Sequence, residues 1–227
     1  MKQTLHLVSA LLLVSPAGLQ AGELKIAPVF SYQVVLQREK PVPVWGWAEP
    51  GEAVTVEFAD QKKAATADAA GRWLVTLDPM SASAEPRELL VTSANPQSKI
   101  RNLKSFAVLV GDVWLCAGGS EVGRRGIDAD ALPNDPQAPP VRVFSVTPGT
   151  ARQPQTDLKG RWTAVQNATL RQLPAQACLL GRALAAELHV PIGILSVSSG
   201  YPVESWMSRA SLAAPSEALT ALPKRLP

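Results

Sequence analysis

Among the 227 residues, one serine is set up for chemistry by what precedes it. Val108 to Gly123 reads V-L-V-G-D-V-W-L-C-A-G-G-S-E-V-G, an apolar run that reaches two glycines and then Ser120. A strand that buries Val113, Trp114 and Leu115 and turns on Gly118 and Gly119 would leave Ser120 at its carboxyl end, where open α/β sheets build sites. Ser196 to Trp206, S-V-S-S-G-Y-P-V-E-S-W, repeats this logic, with Gly200 able to turn a backbone N–H toward the same sheet edge. Glu204 follows as an acid or a solvated surface group. A serine nucleophile needs a base, and the only histidines are His6 and His189. His189 directly follows a helical stripe, which reads as a helix-end residue rather than a catalytic one.

The elements that would hold Ser120 change character along the chain. Val34 to Leu36, Val42 to Trp47, Val54 to Phe58, Trp73 to Leu77 and Leu89 to Thr92 are short β-prone runs. Val54, Val56 and Phe58 alternate with polar residues, as do Trp73, Val75 and Leu77, so each run has one buried face. Glu49-Pro50-Gly51, Asp68 to Gly71 and Asn95-Pro96 supply turns between them. This spacing suggests an antiparallel β-sandwich over residues 22–105. Trp45 and Trp47 fit core or edge packing, with stacking on a sugar ring as the functional alternative.

Beyond residue 105 apolar strands alternate with helix and loop. Asp112 to Cys116, Val141 to Val146 and Ile192 to Val197 read as strands. Leu173, Ala177, Leu180, Leu184 and Leu188 recur at steps of three and four beside Pro174, which predicts a helix buried on that stripe. Helix followed by apolar strand points to a parallel sheet over residues 106–227.

A net charge of +3, with scattered basic residues, gives no footprint for nucleic acid. Residues 1–21 have the pattern of a signal peptide, one Lys and a short apolar run ending in small residues, with a cut after Ala21 or Ala17. That run is short of the about 20 residues a membrane span needs, so the protein is expected to be secreted or periplasmic, with no membrane association after cleavage. Cys116 and Cys178 read as buried free thiols, with a disulfide as the alternative. No metal site and no cofactor is expected.

Taken together, Val35-Leu36-Gln37-Arg38, Pro41 to Gly51 (P-V-P-V-W-G-W-A-E-P-G), Gly111 to Cys116 (G-D-V-W-L-C) and Pro202-Val203-Glu204-Ser205-Trp206 resemble the amino-terminal portion of the sialate O-acetylesterase family of SGNH hydrolases, in consistent order over residues 28–210. The resemblance implies an α+β multidomain fold: an antiparallel β-sandwich followed by an incomplete flavodoxin-like (SGNH) α/β domain. It makes Ser120 the nucleophile and the backbone N–H groups of Ser120 and Gly200 oxyanion-hole donors, with Gly119, Glu121 and Glu204 as neighbours. The expected reaction is removal of O-acetyl groups from sialic acid or a related glycan through an acyl-serine.

Two departures qualify it. The family's G-Q-S-N is Gly118-Gly119-Ser120-Glu121 here, and a carboxylate turned inward would oppose an oxyanion. The family's third-block asparagine and its D-x-x-H have no counterpart before Pro227, and His189 matches a helix-ending glycine in the family. The expectation is therefore a truncated chain, inactive or nearly so alone, either needing a separate chain that carries the missing half or persisting as a glycan-binding relative. Its expected ligand is an O-acetylated glycan.

Overall fold

The computed structural model describes residues 23–96, 100–127, 137–149 and 155–198. The chain there is mostly sheet. Its strands are β1 (Lys25–Ile26), β2 (Val35–Gln37), β3 (Val42–Trp47), β4 (Ala53–Phe58), β5 (Gln61–Thr66), β6 (Arg72–Leu77), β7 (Ser83–Ser93), β8 (Asn102–Gly118), β9 (Val141–Val146) and β10 (Gly160–Ala164), followed by the helix α1 (Ala175–Leu188) and β11 (Ile192–Ser198). β1, β3 and β6 form one antiparallel sheet. The other sheet runs β10-β9-β11-β8-β7-β4-β5, with β2 added parallel to β8.

The alternation read in β4 and β6 holds. Val54, Val56 and Phe58 from one sheet and Trp73, Val75 and Leu77 from the other are buried in one shared core. β5 was not legible because Gln61–Thr66 is polar and half-exposed, an edge strand specified by its hairpin with β4.

β8 is far longer than Asp112 to Cys116. Its first part pairs antiparallel with β7, and its last seven residues pair in parallel with β11. Between the pairs Arg87↔Val108 and Leu89↔Ser105, β7 advances two residues and β8 three, so β8 carries a bulge. Ala107, inside it, has φ 56°. Its carbonyl accepts a hydrogen bond from the buried Arg142 of β9, whose guanidinium also donates to Val34 O at 3.3 Å. Burial lowers the Arg142 pKa to about 10, which leaves the side chain charged at neutral pH.

Parallel pairing of β11 with both β8 and β9 agrees with the sequence, and β10 returns antiparallel beside β9. α1 begins after Pro174 and covers β9 and β11, with the predicted stripe buried in part: Leu173 and Ala177 are buried and Leu184 half-buried. Ala177, Cys178, Gly181 and Ala185 are its buried residues, whereas Leu180 and Leu188 are exposed. Small residues won because the helix lies close to the sheet: a Cβ on Gly181 would stand 2.4 Å from Val141 Cγ1. His189 ends α1 with φ 54° and ψ 34°, the left-handed cap that glycine usually supplies.

The expected burial of Val113, Trp114 and Leu115 is corrected. Val113 is half-buried, Trp114 is 44% exposed and Leu115 66% exposed, because among the described residues this part of β8 has a strand partner only in β11. Trp45 and Trp47 are half-buried, neither wholly core nor free.

Candidate active site

β8 ends at Gly118 and the chain turns at once. Val122 N donates to Gly119 O at 3.2 Å, Gly123 N to Ser120 O at 3.1 Å and Arg124 N to Glu121 O at 3.2 Å, so residues 119–124 wind into a tight turn. Val122 plugs it into the molecule and leaves Ser120 exposed. The turn abuts the neighbouring strand: a Cβ on Gly123 would lie 2.5 Å from Ser198 Oγ, so only glycine fits there. Ser198 itself pairs with Gly118. Ser120 therefore sits beyond the carboxyl ends of two adjacent parallel strands, as the sequence suggested.

Among the described residues the Ser120 hydroxyl has one weak partner, donating to Glu121 Oε1 at 3.4 Å. Glu121 is exposed and its other oxygen lies 3.8 Å from Arg124 Nη1, so its charge faces solvent and is partly answered there. The turn is tied to the start of α1, since Ala175 N donates to Arg124 O at 2.8 Å.

His189 is at the other edge of the sheet. It precedes Ile192, which pairs with Asp112, whereas Ser120 follows Gly118, which pairs with Ser198. Six residues of strand separate the two levels, roughly 20 Å at the usual rise. His189 cannot accept the Ser120 proton across that distance. Gly200, Glu204 and residues 1–21 lie outside the described residues.

A cavity of about 260 Å³ opens on the same carboxyl edge, two strands over. Among the described residues, Arg125, Ser145, Thr147, Arg161, Thr163 and Gln172 supply its polar lining, with two guanidinium groups and no carboxylate. Such a lining can hold hydroxyl-rich or anionic groups. Sequence reading missed it, because Arg125 and Arg161 meet only through the pairing of β10 with β9 and the anchoring of the turn to α1.

Neither thiol is built to react as a nucleophile. Both Cys116 and Cys178 are free. Burial raises the pKa of half-buried Cys116 and takes that of Cys178 to about 11, nearby Arg182 lowering the latter only in part. Among the described residues no group of three or more His, Cys, Asp and Glu could hold a metal ion.

Two stretches that carried the resemblance turn out to be partners near the middle of β8. Arg38 Nε and Nη2 reach Asp112 Oδ1 and Oδ2 at 2.9 and 3.2 Å, Gln37 Nε2 donates to Asp112 Oδ1 at 3.2 Å, and Val113 N donates to Gln37 Oε1 at 2.9 Å. This bidentate clamp fixes β2 to the strand that carries Ser120, so these residues hold the strand rather than touch a substrate.

Comparison with known proteins agrees with the resemblance. The chain is 31% identical over 210 residues to sialate O-acetylesterase of Homo sapiens, covering 84% of this chain and 40% of that protein. For the sialate O-acetylesterase of Rattus norvegicus the figures are 29% over 225 residues, 90% and 41%. A crystal structure of a carbohydrate acetylesterase from Xanthomonas citri superposes with a TM-score of 0.73 at 34% identity, covering 83% of this chain and 43% of that one. No family model matches. The chain thus resembles the sialate O-acetylesterases over most of its own length while spanning about two fifths of theirs, which is consistent with their amino-terminal portion.

Proposed function

We propose that this chain carries the nucleophile of a secreted or periplasmic carbohydrate acetylesterase, with a β-sandwich over residues 22–105 and part of an SGNH-type α/β domain over residues 106–227. The observation that carries the reading is the position of Ser120, on a tight turn beyond the paired ends of β8 and β11, in a chain similar to acetylesterases. In the reaction Ser120 Oγ attacks the acetyl carbonyl of a sugar ester and gives its proton to a base. The sugar hydroxyl leaves with a proton, and water then releases acetate from the acyl-serine. The N–H groups of Ser120 and Gly200 would receive the oxyanion, and Glu204 stands four residues beyond. The Arg125–Arg161 cavity would hold another part of the glycan, such as the carboxylate of a sialic acid. The reaction needs a base, and His189 is out of reach of Ser120.

Acetate release from an O-acetylated sialoside, measured with and without added imidazole as an external base, tests this reading. Imidazole is expected to raise the rate of the wild-type chain, and Ser120→Ala is expected to abolish that gain, a loss of at least about 10³-fold where the serine is the nucleophile. Equal rates for wild type and Ser120→Ala in imidazole would overturn it.

A further inference from the structure

The sheet that does not carry Ser120 has its own candidate site. In β3 the residues Val42, Val44 and Gly46 face the core, and Trp45 and Trp47 alternate with them, half-buried and partly packed against it. Across the pairing with β6, Trp45 stands opposite Leu74 and Trp47 opposite Arg72. Leu74 is 57% exposed. These four side chains, with Asp68 and Trp73, bound a cavity of about 320 Å³ whose surface is mostly apolar.

Its polar rim is fixed and charge-balanced. Asp68 accepts hydrogen bonds from Ala70 N and Arg72 N, both at 2.9 Å, and from Arg72 Nε at 2.9 Å, which aims the guanidinium along the rim. Those backbone and side-chain donors from Arg72 hold the Asp68 carboxyl below its ordinary pKa, so the carboxylate is ionised at neutral pH.

We infer that this cavity binds a neutral pyranose unit of a glycan, independently of Ser120. A pyranose has an apolar face of C–H bonds and a rim of hydroxyls. Two indoles two residues apart on one strand, roughly 7 Å by strand geometry, offer a surface on the scale of one sugar ring. The Asp68–Arg72 pair supplies an acceptor and donors for the hydroxyls, and with its charges paired it gives no net attraction for an anionic sugar. The volume is in the range of small-molecule sites, roughly 300–1,000 Å³.

The test is a titration of the whole chain with cellotetraose as a neutral probe and sialyllactose as an acidic one, followed by the indole N–H signals in heteronuclear NMR. Cellotetraose is expected to shift the signals of Trp45 and Trp47 in both wild type and Ser120→Ala. Trp47→Ala is expected to weaken its binding roughly tenfold, the worth of one stacked ring. Trp45 is left in place because it packs edge-on against Phe30 at 4.7 Å between ring centroids. Should Trp47→Ala not fold, Leu74→Ser on the exposed rim serves instead, with a smaller loss expected. The inference is overturned if the indole signals do not move, if only sialyllactose moves them, or if Trp47→Ala and Leu74→Ser both bind like wild type. Concentration-dependent sedimentation that disappears in Trp47→Ala would overturn it too, assigning the face to a second copy of the chain.

Discussion

The two halves of β8 use the same apolar alphabet to opposite effect. In the first, Val108, Leu109 and Val110 are at most 2% exposed, with β7 on one side, β2 on the other, and Val108 and Val110 in the core shared with β4 and β6. In the second, Val113, Trp114 and Leu115 lean on β11 alone among the described residues, and two of the three are open to solvent. Residue type sets what a side chain gains by burial, and neighbours decide whether it is buried. The first half therefore carries stability and the second carries position, delivering the chain to Ser120.

The largest test of this contrast is Val108→Ala. Removing two buried methyl groups from a filled core is expected to cost about 2 kcal/mol and lower the melting temperature by about 4–8 °C, read by calorimetry or circular dichroism. An effect of similar size separates the two thiols. Because burial raises Cys178 to about 11 in the folded chain against an ordinary value near 9, the unfolded chain loses its thiol proton first as pH rises. Stability is expected to be full below about pH 9 and to fall between about pH 9 and pH 11. Cys178→Ala should flatten that decline in denaturant titrations, though it lowers stability at neutral pH. Cys116, half-buried on the open half of β8, should react with a thiol reagent before Cys178 does. The smallest effect belongs to Leu115→Ser, expected to stay within about 0.5 kcal/mol of wild type. A loss as large as that of Val108→Ala would show that the second half of β8 is covered after all.

What the sequence disclosed follows the same division. Strands with one wet face were legible, since β3, β4 and β6 alternate and are bounded by turn residues. β8 was read short because the bulge at Ala107 breaks the period between Ser105 and Val108. The helix and the burial of its Ala177 are legible, but the rest of its face is not: leucines advertise burial, while close approach to Val141 demands Gly181 where the stripe offers Leu180. At the candidate site, the glycines before Ser120 announced the turn. The distance that disqualifies His189 and the meeting of Arg125 with Arg161 both arise from strand register, which no local pattern encodes.

Trp162 adds a consequence in time. Its ring packs edge-on against Phe144, and its Nε1 donates at 2.6 Å to the carbonyl of Val29, 133 residues earlier. A chain made from its amino end leaves that carbonyl waiting until β10 has emerged. Closures this distant in sequence are slow, so the amino-terminal edge is expected to be among the last parts to lock during synthesis, and a ribosome stalled before residue 160 should hold it open to protease.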